Sequence, residues 1–120
     1  MLTLYEKNSV NKIIDYLIKI QENYQSELNT LENDIKRIKR LIKDAEKSKI
    51  EVQSSLDTSY MVLSSSQVAN TQQFAEIDSF EELIELRNKE LDELNCKKII
   101  VEGRLTEVNE IINCAEDLNK

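Results

Sequence analysis

Few side chains in this sequence could carry covalent chemistry, and the partners that such chemistry needs are missing. The three hydroxyls of Ser64-Ser65-Ser66 would need a general base, but the 120 residues include no histidine. Two thiols, Cys96 and Cys114, are too few for a zinc site without imidazole ligands, and we expect both to be ordinary small apolar residues. We therefore predict no catalytic residue, no metal site and no cofactor, and the chain is not expected to be an enzyme.

The composition narrows the function further. A single glycine, Gly103, leaves no glycine-rich loop that could hold a phosphate, so no small-molecule substrate of that kind is expected. The formal charge of -7 repels a phosphate backbone, which argues against nucleic acid as a partner. The segment 1–6 lacks the basic and apolar regions of a Sec-type signal peptide, and no later segment is apolar for the roughly 20 residues that a membrane span needs. We expect no membrane insertion and a cytoplasmic protein, or one exported together with a partner.

An apolar row recurs every seven residues through the first half of the chain. Its members are Val10, Leu17, Tyr24, Leu31, Ile38, Ala45 and Val52. A companion row lies four residues further on, at Ile14, Leu28, Ile35, Ile42, Leu56 and Leu63, with polar interruptions at Gln21 and Lys49. This recurrence is typical of a coiled-coil helix, which we predict over about 4–62 with Thr3 as its N-cap.

A second stripe predicts a second helix over about 80–118. It runs through Leu94, Val101, Val108 and Ala115, with Ile84, Leu91, Leu105 and Ile112 as the companion row and with Ile111 and Leu118 extending it. Ser79 and Glu82 form a capping-box pattern that favours a start at Phe80, while the apolar residues Phe74 and Ile77 also fit a start near Val68.

The composition between the two stripes favours a turn. Residues 54–79 contain ten Ser, Thr or Asn, whose side chains compete for backbone hydrogen bonds and weaken a helix. The sequence thus predicts a single all-α domain, an antiparallel two-helix hairpin with its turn within 63–79. Basic residues concentrate in 36–49 and acidic residues in 81–93, and these stretches face each other if paired residue numbers add up to about 130. An antiparallel pairing between two chains would satisfy the same charges.

Two apolar clusters exceed what one facing helix can cover, and they are the candidate partner-binding residues. The first consists of Ile13, Ile14, Tyr16, Leu17, Ile18 and Ile20, and the second includes Ile99 and Ile100. Such surplus apolar surface is typical of a helix that packs against another protein, or against a further copy of itself.

An acidic chain of this length, rich in Lys, Ile, Asn and Glu and folded as two antiparallel helices, resembles the small helical-hairpin proteins of bacterial type VII secretion. These include the WXG superfamily and the accessory proteins of LXG toxins. The segment 74–78 matches the Phe-x-x-x-Asp pattern of some accessory proteins, but it lies mid-chain, and 64–66 replaces the Trp-x-Gly turn. The resemblance implies an adaptor or targeting chaperone that binds a helical secreted toxin.

Two other functions suit the same elements. A prefoldin-like holdase also has two long helices, although that family places β-hairpins between them. A structural homo-oligomeric coiled coil, such as a phage or envelope scaffold, would bury both apolar clusters against further copies of the chain.

Overall fold

The computed structural model contains two long helices, α1 (Leu4–Val62) and α2 (Gln67–Leu118). It describes the backbone of residues 1–62 and 67–120, and the side chains of 1–55 and 73–120. No strand occurs in the described backbone, and the predicted all-α helical hairpin is confirmed. The predicted turn around Ser64-Ser65-Ser66 lies outside the described residues.

The start of α1 follows the predicted capping pattern. The hydroxyl of Thr3 accepts a hydrogen bond from the backbone N–H of Glu6 at 3.1 Å, and the carbonyl of Thr3 accepts one from the N–H of Lys7 at 2.9 Å. These contacts satisfy two of the backbone donors that the first turn of a helix leaves unpaired. The first helical residue is therefore Leu4, as predicted.

The predicted start of α2 at Phe80 is wrong, and the earlier start near Val68 is confirmed, because α2 begins at Gln67. Ser79 does not cap a helix. Its hydroxyl donates to the carbonyl of Ala75 at 3.0 Å, so the side chain is satisfied inside the helix. Ile77 is buried and extends the apolar stripe upstream of Phe80, so that burial outweighs the weak helix propensity of the polar segment.

The chain divides into two compact units, each containing part of both helices. Unit 1 comprises Met1–Asn33 and Leu94–Lys120, and unit 2 comprises Asp34–Glu93. The single-domain organisation stays a prediction. In the described part of the chain, neither helix has an apolar stretch long enough to cross a membrane.

Unit 1 is held by one apolar seam, the row of side chains through which α1 and α2 face each other. Leu28, Leu31 and Val101 form its buried centre, and Tyr24, Leu94 and Leu105 pack against them. Polar pairs along the seam show that the helices are antiparallel. These are Gln21 Nε2 to Asn109 Oδ1 at 2.6 Å, Asn119 Nδ2 to Asn11 Oδ1 at 2.6 Å, and Lys98 Nζ to Glu32 Oε1 at 3.9 Å. The two residue numbers add up to 130 in each pair, which is the predicted register.

Unit 2 has its own seam, with Ile35, Ile38, Ala45 and Ile77 buried. The Lys49 ammonium lies 3.1 Å from the Glu81 carboxylate, and these residue numbers again add up to 130. The ion pair joins the basic stretch 36–49 to the acidic stretch 81–93, so the charge-selected register is confirmed. In the sequence, Lys49 interrupts the companion apolar row. In the structure, it pairs with Glu81 of the facing helix.

The seam predicts that substituting a buried isoleucine lowers the stability of the fold far more than substituting an exposed one. Ile38 is 2% exposed and Ile99 is 68% exposed. We expect Ile38→Ala to lower the free energy of unfolding by about 2–5 kcal/mol, because it leaves a cavity in the seam. Ile99→Ala should change it by less than about 0.5 kcal/mol. Urea unfolding followed by far-UV circular dichroism measures both, and equal losses would contradict the seam.

The Lys49–Glu81 pair predicts a charge-reversal effect. Lys49→Glu and Glu81→Lys should each destabilise unit 2 by placing like charges together, and the double variant should recover most of the loss. Because both side chains are partly exposed, we expect a coupling of about 0.2–1 kcal/mol. A double-mutant cycle in low salt measures this coupling, and strictly additive losses would show that the pair does not contribute to the register.

Candidate partner-binding surface

The structure separates the first predicted apolar cluster into seam and surface. Ile14 is 8% exposed and belongs to the seam, and Leu17, Ile18 and Ile20 are half-buried. These residues bury much or all of their apolar surface inside unit 1. Ile14 is therefore not accessible to a partner, whereas Ile18 and Ile20 retain part of their surface at the edge of the seam.

The remaining predicted residues are exposed. Ile13 is 55% and Tyr16 is 66% exposed, and both lie on α1. Ile99 and Ile100 are exposed on α2, but as neighbours in a helix they point about 100° apart and do not form one surface. A continuous surface therefore centres on Ile13 and Tyr16.

Ile111 and Leu118 were expected to extend the apolar stripe of the second helix, and that expectation is wrong. They are 52% and 61% exposed, while the neighbouring Ile112 is buried. The buried Val108 and Ile112 fix the phase of the seam on α2, and a residue just before Ile112 points away from it. Sequence reasoning thus missed two surface residues, and the available signal was their position immediately before a seam residue.

A set of surface apolar residues from both helices lies on one side of unit 1, with Ile20 half-buried and the other members exposed. Ile13, Ile20, Ile111 and Leu118 each precede a seam position, at 14, 21, 112 and 119. Two antiparallel helices are related by a two-fold axis perpendicular to both, so side chains with the same offset from the seam share one side of the pair. We name this side, consisting of Ile13, Tyr16, Ile20, Ile111 and Leu118, the apolar flank.

The opposite side of unit 1 is polar. Asn11, Glu32 and Asn109 each follow a seam residue, and each contacts the facing helix through the polar pairs described above. These three side chains already have partners in the same chain. The two sides of unit 1 therefore differ: these polar groups are paired across the helices, whereas Ile13, Tyr16, Ile111 and Leu118 of the apolar flank are left at the surface.

Charged residues border the apolar flank, with a different sign on each helix. On α1, Lys12 and Lys19 lie just before Ile13 and Ile20; on α2, Glu110 and Asp117 lie just before Ile111 and Leu118. All four are exposed. The flank thus has an apolar centre, a basic edge along α1 and an acidic edge along α2.

Cys96 and Cys114 are exposed free thiols, and among the described residues no group of His, Cys, Asp or Glu side chains is arranged to hold a metal ion. In unit 2, a groove of about 320 Å³ is lined by Ala75, Glu76, Ser79, Phe80 and Leu83 of α2 alone. In contrast to this groove, the apolar flank of unit 1 includes residues from both helices.

The assignment of neighbouring residues to flank and seam predicts opposite effects of the same substitution. We expect Ile13→Glu to leave the fold intact, because the carboxylate points into water. Ile14→Glu should lower the free energy of unfolding by several kcal/mol, on the order of 3–5, because it buries an unpaired charge in the seam. Thermal and urea unfolding of the two variants distinguish them, and similar stabilities would contradict the assignment.

Comparison of the chain with protein-family models, with curated proteins and with solved structures found no match.

Proposed function

We propose that this chain is a non-enzymatic protein–protein interaction module that binds a helical partner through the apolar flank of unit 1. The observation that supports the proposal is the exposure of Ile13, Tyr16, Ile111 and Leu118 on one side of two packed helices. Exposed apolar side chains that gather on one side of a fold typically mark an interaction surface.

The shape of the flank favours a helix as the partner element. Two antiparallel helices leave a shallow groove between them, and here apolar side chains border that groove from both helices. An amphipathic helix that lies along the groove would insert apolar residues spaced three and four apart, and would contact α1 and α2 together. The absence of strands from the described backbone also leaves no sheet edge to which an extended peptide could add.

The class of partner follows from the resemblance to type VII accessory proteins. We propose an adaptor or targeting chaperone whose partner is a helical secreted protein, such as a toxin with a helical N-terminal segment. The prefoldin-like alternative is less suitable, because that family places β-hairpins between its helices and no strand occurs in the described backbone. A structural homo-oligomer would use the same flank, and its predicted outcome differs in the following experiment.

Photo-cross-linking in the native cell tests the proposal. A photoreactive phenylalanine analogue in place of Tyr16 lies on the apolar flank, and the same analogue in place of Asp15 points away from it. We expect a cross-link at position 16 to a second, helical protein, and at least a tenfold weaker cross-link at position 15. Mass spectrometry identifies the cross-linked protein.

Ile13→Glu and Ile111→Glu introduced together provide the matched control, because both sites are exposed and the fold should persist. We expect this double substitution to abolish the cross-link at position 16. Cross-links to further copies of the chain alone would overturn the adaptor proposal in favour of the structural homo-oligomer, and equal cross-linking at positions 15 and 16 would show that the flank is not the binding surface.

A further inference from the structure

We infer that the apolar flank of unit 1 is self-complementary, and that in the absence of another partner it is covered by a second copy of this chain. The inference rests on the proposed function, because it names an occupant of the same surface. It is carried by the charged edges of the flank and by the register of the helices, which together specify one arrangement of two copies.

The arrangement follows from symmetry. Two copies that pack flank to flank in a closed dimer are related by a two-fold axis that lies in their interface. If the axis is parallel to the helices, α1 of each copy faces α2 of the other, and neighbouring helices are antiparallel. If the axis is perpendicular to the helices, α1 faces α1 and α2 faces α2. That second arrangement places the lysine edges together and the acidic edges together, which costs free energy.

The parallel axis preserves height along the helices, so the register within one chain also applies between chains. Residues whose numbers add up to about 130 lie at the same height in unit 1. In the dimer, the facing pairs are therefore Ile13 with Leu118, Tyr16 with Cys114, Ile20 with Ile111, Lys12 with Asp117 and Lys19 with Glu110.

Each of these pairs is chemically compatible. The aliphatic residues meet aliphatic residues, Tyr16 meets the small apolar side chain of Cys114, and both lysines meet carboxylates. Glu27 and Arg104, which also precede seam positions, form a further pair of opposite charges at matching heights, here with the acidic residue on α1 and the basic residue on α2. Because the two-fold axis repeats every contact, each of these six pairs is formed twice.

The dimer explains why Ile13, Tyr16, Ile111 and Leu118 are exposed on the same side of both helices. On a monomer these side chains would remain in water, whereas a second copy covers them with its own flank and produces a four-helix layer around an apolar centre. A partner helix of the proposed function would have to displace this copy, so the adaptor would exchange one helical neighbour for another.

The oligomeric state of the purified full chain gives the first test. We expect sedimentation equilibrium to give twice the monomer mass of 14.0 kDa at micromolar concentration, with dissociation on dilution. Lys19→Glu should raise the dimer dissociation constant about tenfold, because two symmetric ion pairs become repulsive. Combining it with Glu110→Lys should restore the dissociation constant to within about threefold of the unsubstituted chain.

Disulfide trapping tests the arrangement itself. In a Cys96→Ser background, Tyr16→Cys places a thiol at the height of Cys114 of the second copy, with the two Cα atoms about 6 Å apart, which suits a disulfide. Positions 16 and 114 of one chain lie on the outer sides of their helices, about 12 Å apart, so they cannot bridge within the chain. We expect a covalent dimer on a non-reducing gel.

Asp15→Cys in the same background is the matched control, because its thiol points away from the flank and should give less than a tenth of the covalent dimer. A monomer at all concentrations, or equal trapping from positions 15 and 16, would overturn the dimer. Neither result bears on the adaptor proposal, which fails if the photo-cross-link at position 16 in cells captures no other protein, or if position 15 cross-links equally.

Discussion

The burial of one narrow apolar stripe against another is the interaction on which this structure depends. Each helix carries one stripe of buried residues made of two adjacent rows, such as Leu28, Leu31 and Ile38 on α1, and each stripe is wide enough to face one neighbour. Helices this polar on their remaining surface gain little stability from propensity alone, so tertiary packing must supply most of it. Each fully buried aliphatic side chain contributes roughly 1.5–3 kcal/mol relative to exposure. The seam therefore determines which residues are inside and, by exclusion, which residues border it.

Apolar burial alone does not determine register, because one aliphatic residue can replace another when the helices slide by a turn. The polar groups along the seam distinguish the native register from the shifted ones. Gln21 reaches Asn109 in unit 1, and Lys49 reaches Glu81 in unit 2, and a slide would leave these partly buried groups unpaired. Each contact is weak when taken singly, since an exposed ion pair is worth about 0–1 kcal/mol. Their role is to raise the free energy of the alternative registers rather than to stabilise the native one.

The sequence predicts the features that depend on periodicity over many residues. The heptad rows among the described side chains, the cap at Thr3 and the charge-selected register all appear in the structure, whereas Leu56 and Leu63 of the companion row lie outside the described side chains. Features that depend on a single position are predicted less well. Ile13 and Ile14 are adjacent residues of the same type, but the rotation of about 100° per residue along the helix places Ile13 at the surface and Ile14 in the seam. The predicted start of α2 at Phe80 is wrong for a different reason: local signals at Ser79 favour a helix cap, and the burial of Ile77 overrides them.

On the apolar flank of unit 1, affinity and direction of binding depend on different residues. Ile13, Tyr16, Ile111 and Leu118 can contribute apolar contact to any helix that lies along the groove, whichever way it runs. The lysine edge on α1 and the acidic edge on α2 break that equivalence, because reversing an occupant exchanges its left and right sides. An occupant with one acidic and one basic side would therefore be bound in one direction only, and the proposed second copy and helical partner would compete under the same rule. On this proposal, the apolar contacts supply affinity and the charges select among helices.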